Sequence, residues 1–168
     1  MMTAIKFAKV RPTAIIPTKR DEDAGFDIYA NFEEDFRIIP PHETRIIPSG
    51  IACACDTDYC LILKERGSTG TKGMAQRCGV IDSGYRGEIG IPITNTTEAP
   101  IVISKTDSIE DIFGDVAPNN VIIYPYAKAI AQALVIPVPV VDVEEYTYEE
   151  LKAIPSSRGL GALGSSGK

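Results

Sequence analysis

Proline sets the first limit on this chain. Prolines at positions 12, 17, 40, 41, 48, 92, 100, 118, 125, 137 and 139 interrupt almost every stretch of it. Each lacks a backbone N–H and fixes φ, so a helix of several turns has nowhere to run, whereas strand ends, sheet edges and turns accept the residue. Between the prolines, short apolar or alternating runs recur at 5–10, 26–30, 36–39, 44–48, 51–55, 59–64, 88–94, 101–104, 121–124 and 130–143. Within 59–64, Tyr59, Leu61 and Leu63 share one face and Cys60 and Ile62 the other, the period of a strand. Only 147–153 reads as a helical turn or two, with Thr147 at the N-cap and Glu150 at the capping-box spacing. The pattern predicts an all-β chain, a sandwich or jelly-roll-like barrel.

The 168 residues suit one domain with a real core, and 44% hydrophobic with 24% charged residues is a globular composition. No apolar run approaches the ~18 residues of a membrane span. The N-terminal Met1-Met2-Thr3-Ala4-Ile5-Lys6 lacks the apolar core and cleavage site of a secretory signal, so a cytoplasmic protein without a membrane partner is expected. The net charge is −6 and no basic block forms a track, which disfavours a nucleic-acid polymer. A small anionic substrate remains compatible if a few cations and a metal ion gather at one site. Cys53, Cys55, Cys60 and Cys78 do not make a paired C-x-x-C pattern, and the single histidine, His42, sits between prolines and a charged segment. The thiols are expected to pack as small apolar groups.

Two segments depart from the strand pattern. Residues 105–120 are irregular and acidic, with aspartates at 107, 111 and 115 and a glutamate at 110. Residues 155–168 are rich in glycine and serine. The organisation expected is one domain over 1–154, with an insertion near 98–124, and a flexible C-terminal arm over 155–168.

Residues with chemical potential fall in five segments. Asp23-Ala24-Gly25-Phe26-Asp27-Ile28 is a turn entering a strand, able to present the Asp27 carboxylate. In Glu65-Arg66-Gly67-Ser68-Thr69-Gly70, small residues let N–H groups approach an anion while hydroxyls and a guanidinium add charge-assisted hydrogen bonds. Gly79-Val80-Ile81-Asp82-Ser83-Gly84-Tyr85-Arg86-Gly87 puts one carboxylate and one ring three residues apart in a glycine-bounded hairpin, followed by alternating Ile89, Ile91 and Ile93. An acid there can orient and deprotonate a water, and the ring can floor a sugar or base. The last two segments are Lys128-Ala129-Ile130-Ala131-Gln132 and Arg158-Gly159-Leu160-Gly161-Ala162-Leu163-Gly164-Ser165-Ser166-Gly167.

In this order the five segments resemble the ordered motifs of the trimeric dUTP pyrophosphatases, the dUTPases. The resemblance implies a jelly-roll-like fold of the dUTPase type and Mg²⁺-dependent hydrolysis of dUTP to dUMP and pyrophosphate in a homotrimer. It implies that Asp82 activates the water and that Tyr85 packs under the deoxyribose. Asp27 would hold the water shell of Mg²⁺, for which one carboxylate is enough. Gln76 and Gly79 are the nearest candidates for the uracil-reading backbone. Arg66, Gly67, Ser68, Gln132, Arg158, Ser165 and Ser166 would meet the phosphates. Several departures stand out. The family's Arg-Ser-Gly is Arg66-Gly67-Ser68 here, so either Ser68 acts one place later or the loop register shifts. The acidic–basic pair before Ile130-Ala131-Gln132 is gone, and Leu163 replaces the phenylalanine that stacks over uracil.

Two rival functions come with the resemblance. dCTP deaminases share the fold but need a glutamate in the strand after the aspartate hairpin, where this chain reads Gly90-Ile91-Pro92-Ile93-Thr94-Asn95. A regulatory binding protein would use the acidic insertion over 98–124 as a docking surface for another protein. The stretch from Asp82 to Gln132 is longer than in compact members of the family, and such inserts occur in phage-encoded dUTPases, which points to a phage or prophage source and a bacterial or infected-host cytosol.

Overall fold

A computed structural model describes residues 5–161. It divides after Val138 into two units, ahead of the boundary after 154 that composition suggested. The first unit carries all of the strands. In chain order these are β1 (Lys6–Lys9), β2 (Gly25–Ile28), β3 (Phe36–Ile39), β4 (Thr44–Pro48), β5 (Ile51–Ala54) and β6 (Tyr59–Lys64). A single helical turn, α1 (Gly67–Gly70), precedes β7 (Met74–Gln76), β8 (Val80–Ile81), β9 (Gly90–Asn95) and β10 (Ile101–Ser104). Helix α2 (Ile109–Phe113), β11 (Ile122–Pro125) and β12 (Ala131–Pro137) complete it. Among the described residues of the second unit there is one helix, α3 (Tyr148–Ala153), capped as its sequence predicts. The Thr147 hydroxyl accepts from the Glu150 N–H at 3.3 Å while Glu150 accepts from the Thr147 N–H at 2.8 Å. No helix among the described residues is long and apolar enough to cross a membrane.

The first unit is an all-β jelly roll built from four small sheets, with strand orders β1-β5, β11-β10-β3, β2-β12-β6-β8 and β4-β9-β7. Alternation fixes which faces meet. Leu61 and Leu63 of β6, Ile91 and Ile93 of β9, and Ala131 and Ala133 of β12 are all essentially buried, while the residues between them face the other side and are less buried. Pro92 sits inside β9 without breaking it, and Pro48, Pro125 and Pro137 close β4, β11 and β12. The run expected as one strand over 130–143 ends at Pro137, after which the chain is irregular and exposed up to α3. The elements that sequence reasoning passed over are all short: α1, β7, the two-residue β8, and α2.

The region expected as an insertion over 98–124 contains β10 and most of β11. Ile101, Val102, Ile103 and Ser104 of β10 are buried, and β10 pairs antiparallel with β3 and parallel with β11. Only 105–121 leaves the sheet. A parallel pair cannot be closed by a hairpin, so this segment is the crossover that returns the chain to the start of β11. Ser108 caps α2 by accepting from the Asp111 N–H at 3.2 Å, and α2 buries Ile112.

Replacing residues 107–120 with a Gly/Ser linker of about ten residues should therefore leave thermal unfolding of the first unit within a few degrees of the parent. A linker of about two residues should lower Tm clearly, because it cannot return across the sheet without pulling β11 off β10. Circular dichroism melts compare the two, and equal stability of both variants would refute the crossover role.

Candidate active site

The register of three strands assembles a polar cleft. In the β2-β12-β6 array Gln132 lies opposite Asp27 on one side and Lys64 on the other. Opposed residues of antiparallel strands point to the same face, so segments distant in sequence present their polar side chains together. The alternate positions, Phe26, Leu63 and Ala133, face the core. Gly25 leaves room at the edge of this array, since a Cβ there would stand 2.6 Å from Gln132 Oε1 and displace that side chain. Gln132 is thereby free to fold across and donate from Nε2 to the Glu65 carbonyl at 2.7 Å.

Arg66 and Asp27 form a two-pronged ion pair, Nε to Oδ1 at 2.9 Å and Nη2 to Oδ2 at 3.3 Å, each about one-third exposed. Arg66 Nη1 also donates to the Ala129 carbonyl at 3.3 Å. The loop after Arg66 closes as α1, and Thr69 turns inward. Its buried hydroxyl accepts from the Arg66 N–H at 3.0 Å and donates to the Arg66 carbonyl at 3.1 Å. Ser68 stays exposed on the cleft side, so of the two adjacent hydroxyls only that of Ser68 lines the cavity. Glu65 anchors the loop from below by accepting from the Gln76 N–H at 2.9 Å. Hydrogen bonding from its own backbone N–H holds the Glu65 carboxyl below the usual glutamate range. Desolvation pulls the other way, and the Gln76 N–H and nearby Lys64 add to the depression.

Asp27, Arg66, Gly67, Ser68 and Gln132 thus share one open cleft of about 850 Å³. Thr18, Lys19, Arg20 and Glu22 line it too, and sequence reasoning missed them. The bridge between Thr18 and Asp27 folds that segment against β2. The signal available was the basic pair Lys19-Arg20 just ahead of an acidic turn, of which Arg20 is engaged with Asp23 at 2.8 Å.

Asp82 and Tyr85 lie elsewhere, lining a second hollow of about 240 Å³ with Ile46, Val80, Gly90 and Pro92. The Tyr85 N–H closes the hairpin on the Asp82 carbonyl at 3.0 Å, and the Tyr85 hydroxyl donates to the Glu88 carbonyl at 2.9 Å. Gly87 admits the ring, because a Cβ there would collide with the Tyr85 hydroxyl. Gly79 lets the hairpin approach β6, where a Cβ would fall 2.5 Å from the Leu63 carbonyl and where the Gly79 carbonyl accepts from Leu63 at 2.7 Å. Gln76 donates from Nε2 to the Arg77 carbonyl at 3.0 Å. The nearest acid after the hairpin, Glu88, is bound on both oxygens by Arg11, at 2.8 and 2.9 Å, and accepts from the Gly50 N–H at 2.7 Å. A carboxylate so held acts as a structural clasp between the hairpin and the N-terminal part of the chain.

Among the described residues no three His, Cys, Asp or Glu side chains converge as a metal cage. In the second unit, Arg158 donates from Nε to the Gly161 carbonyl at 2.9 Å. Leu163, Ser165 and Ser166 lie outside the described residues.

Comparison with known proteins gives one answer. The family model described as dUTPase matches residues 11–112. A deoxyuridine 5'-triphosphate nucleotidohydrolase of Gloeobacter violaceus is 33% identical over 149 residues, 86% of this chain and 83% of that protein. The protein of the same name from Mycobacterium tuberculosis is 30% identical over 173 residues, 99% of this chain and 97% of its own. Among solved structures, a dUTPase of Staphylococcus bacteriophage 80alpha with dUpNHpp has a TM-score of 0.73 at 23% identity, covering 98% and 99% of the two chains. A dUTPase from phage phi11 of S. aureus, described with a structural Mg(II) ion, has a TM-score of 0.64 at 21% identity, covering 87% and 99%.

Because the folded pKa of Glu65 is depressed, its stabilising effect is complete above the unfolded glutamate value of about 4.3 and is lost as pH falls through the lower folded value. Glu65→Gln keeps the shape but not the charge. The parent's advantage in Tm over that variant should be full at pH 6 and should shrink steadily below about pH 4.3. A gap that stays constant down to pH 3 would contradict the assignment.

Proposed function

The chain belongs to the dUTPase family, and from that membership we propose that it hydrolyses dUTP to dUMP and pyrophosphate with water attacking the α-phosphorus. The observation that carries the reading is the separation of two complementary half-sites on one chain. The β2-β12-β6 cleft offers a guanidinium, an amide and a hydroxyl, which suits a triphosphate. The hairpin hollow offers a carboxylate and a ring, which suits the attacking water and the deoxyribose. Neither half is a complete site. A homotrimer, in which a hairpin from one copy meets a cleft from another, makes both halves useful at once.

In this reading Asp82 orients the water and takes its proton, while Arg66, Gln132 and Ser68 meet charge developing on the phosphate oxygens. The Tyr85 ring packs against C2′ and leaves no room for a 2′-hydroxyl. Backbone groups near Gln76 and Gly79 pair with uracil and would leave a buried donor unpaired against cytosine. Arg158, Leu163, Ser165 and Ser166 are assigned to the triphosphate and base from the resemblance of their motif alone. The donor set fits Mg²⁺: hard oxygens with one partly exposed carboxylate, Asp27, whose remaining lone pairs beside Arg66 can accept from the ion's waters, suit an ion held largely by the nucleotide. Bound there, the ion would neutralise phosphate charge and fix the phosphate geometry. The acidic crossover, 105–121, is proposed as a surface outside the catalytic groups and open to a regulatory protein, supported by its composition and by its absence from both half-sites.

Pyrophosphate release tests the reaction. The protein should act on dUTP in the presence of Mg²⁺ and leave dCTP, dTTP and UTP nearly untouched. Ammonia from dCTP would replace this reading with deamination. Asp82→Asn should cost at least ~10² in kcat while nucleotide binding is largely kept, the scale of losing a general base. Near-normal turnover would remove Asp82 from that role. Deleting residues 157–168 should leave folding intact and depress dUTP hydrolysis, and full activity at saturating dUTP would strip the last motif of function.

A further inference from the structure

Tyr124 is one of the most deeply buried large side chains of the protein, at 1% exposure, and it comes from β11, outside the five segments with chemical potential. Its hydroxyl reaches the loop that lines the polar cleft. It donates to the Ala129 carbonyl at 2.8 Å and lies 3.2 Å from Ser68 Oγ. A phenol has one proton, so with that proton on Ala129 the hydroxyl of Ser68 is the donor in the second bond. The Ala129 carbonyl has a second donor, Arg66 Nη1 at 3.3 Å, and Arg66 in turn holds Asp27. One chain of hydrogen bonds therefore runs from Ser68 through Tyr124 and the Ala129 carbonyl to Arg66 and Asp27.

We propose that Tyr124 is a positioning residue for the phosphate loop, fixing the Ser68 hydroxyl and handing it a hydrogen bond when an anionic phosphate oxygen arrives. The proposal rests on the reading of Ser68 as a phosphate contact. With the cleft free of anion, the Ser68 proton points to Tyr124. When a phosphate oxygen takes that proton as a hydrogen bond, Oγ becomes the acceptor and the Tyr124 proton rotates from Ala129 to Ser68. The Ala129 carbonyl is not orphaned by this rotation, because Arg66 continues to donate to it. The series Tyr124–Ser68–phosphate then polarises in one direction and strengthens the last bond. No bond to hydrogen is broken, and both hydroxyls only rotate. Burial of the ring gives the hydroxyl a fixed origin, which an exposed serine on a glycine-flanked loop lacks by itself.

A double-mutant cycle on the full chain tests this, using kcat/KM for dUTP and the Kd values of α,β-imido-dUTP and of dUMP. Tyr124→Phe keeps the ring and should leave Tm within a few degrees. It should weaken the imido triphosphate and kcat/KM on the order of five-fold, the scale of one net hydrogen bond. Affinity for dUMP, which lacks the β- and γ-phosphates, should be unchanged. In a Ser68→Ala background, Tyr124→Phe should add little further loss, since the partner through which it acts is gone. Losses that add in full, or an equal loss for dUMP, would show that Tyr124 acts only as packing and overturn the proposal. A silent Ser68→Ala would instead overturn the phosphate reading of Ser68, and the proposal with it. An effective Ser68→Ala beside a silent Tyr124→Phe would leave that reading standing and remove Tyr124 alone.

Discussion

The register of β12 between β2 and β6 is the constraint on which the rest depends. It sets Gln132 against Asp27 and Lys64, and it carries Arg66 off the end of β6 into reach of Asp27. A slip of one residue would turn Gln132 into the core and Ala133 outward, so the apolar alternation that builds the core also builds the cleft. Stability and site share a cause here. Truncating Leu63 would open a cavity at a cost of about 2–5 kcal/mol and loosen the strand that holds the phosphate loop.

Two glycines show the same economy of design at the level of single atoms. Gly25 leaves space for the Gln132 amide oxygen, and Gly87 leaves space for the Tyr85 ring. In both cases a Cβ on the glycine would collide with a side chain of the candidate site. The rest of the hairpin is organised by ordinary means. The clasp of Glu88 on Arg11 and on the Gly50 N–H ties the segment after it to the N-terminal part of the chain. That clasp also explains why an acid close to the hairpin takes no part in the proposed chemistry.

Most of the strands were legible because local alternation and proline placement suffice to define them. Runs such as 36–39, 44–48, 59–64 and 101–104 coincide with β3, β4, β6 and β10. The misses have physical reasons. β8 is two residues long, too short for a period to show, and α1 is a single turn in a glycine-rich loop. The insertion expected over 98–124 takes in β10 and most of β11, apolar strands whose parallel pairing is a long-range fact that no local pattern encodes. Within the site, Asp27, Arg66, Ser68 and Gln132 were found through resemblance, and the cleft unites them. Lys19, Arg20 and Tyr124 were not, because their relevance comes from where the fold puts them rather than from any motif. The division between the cleft and the Asp82 hollow was equally invisible in the linear order of motifs.

A crystal structure of the full-length protein with α,β-imido-dUTP and Mg²⁺ tests the central claim most directly. The account predicts that the triphosphate lies in the β2-β12-β6 cleft, within hydrogen-bond distance of Arg66, Ser68 and Gln132, and that the deoxyuridine meets a Tyr85 hairpin supplied by another copy of the chain. A triphosphate bound away from Asp27, Arg66 and Gln132 would contradict it, as would a nucleotide completed by the hairpin and cleft of a single copy.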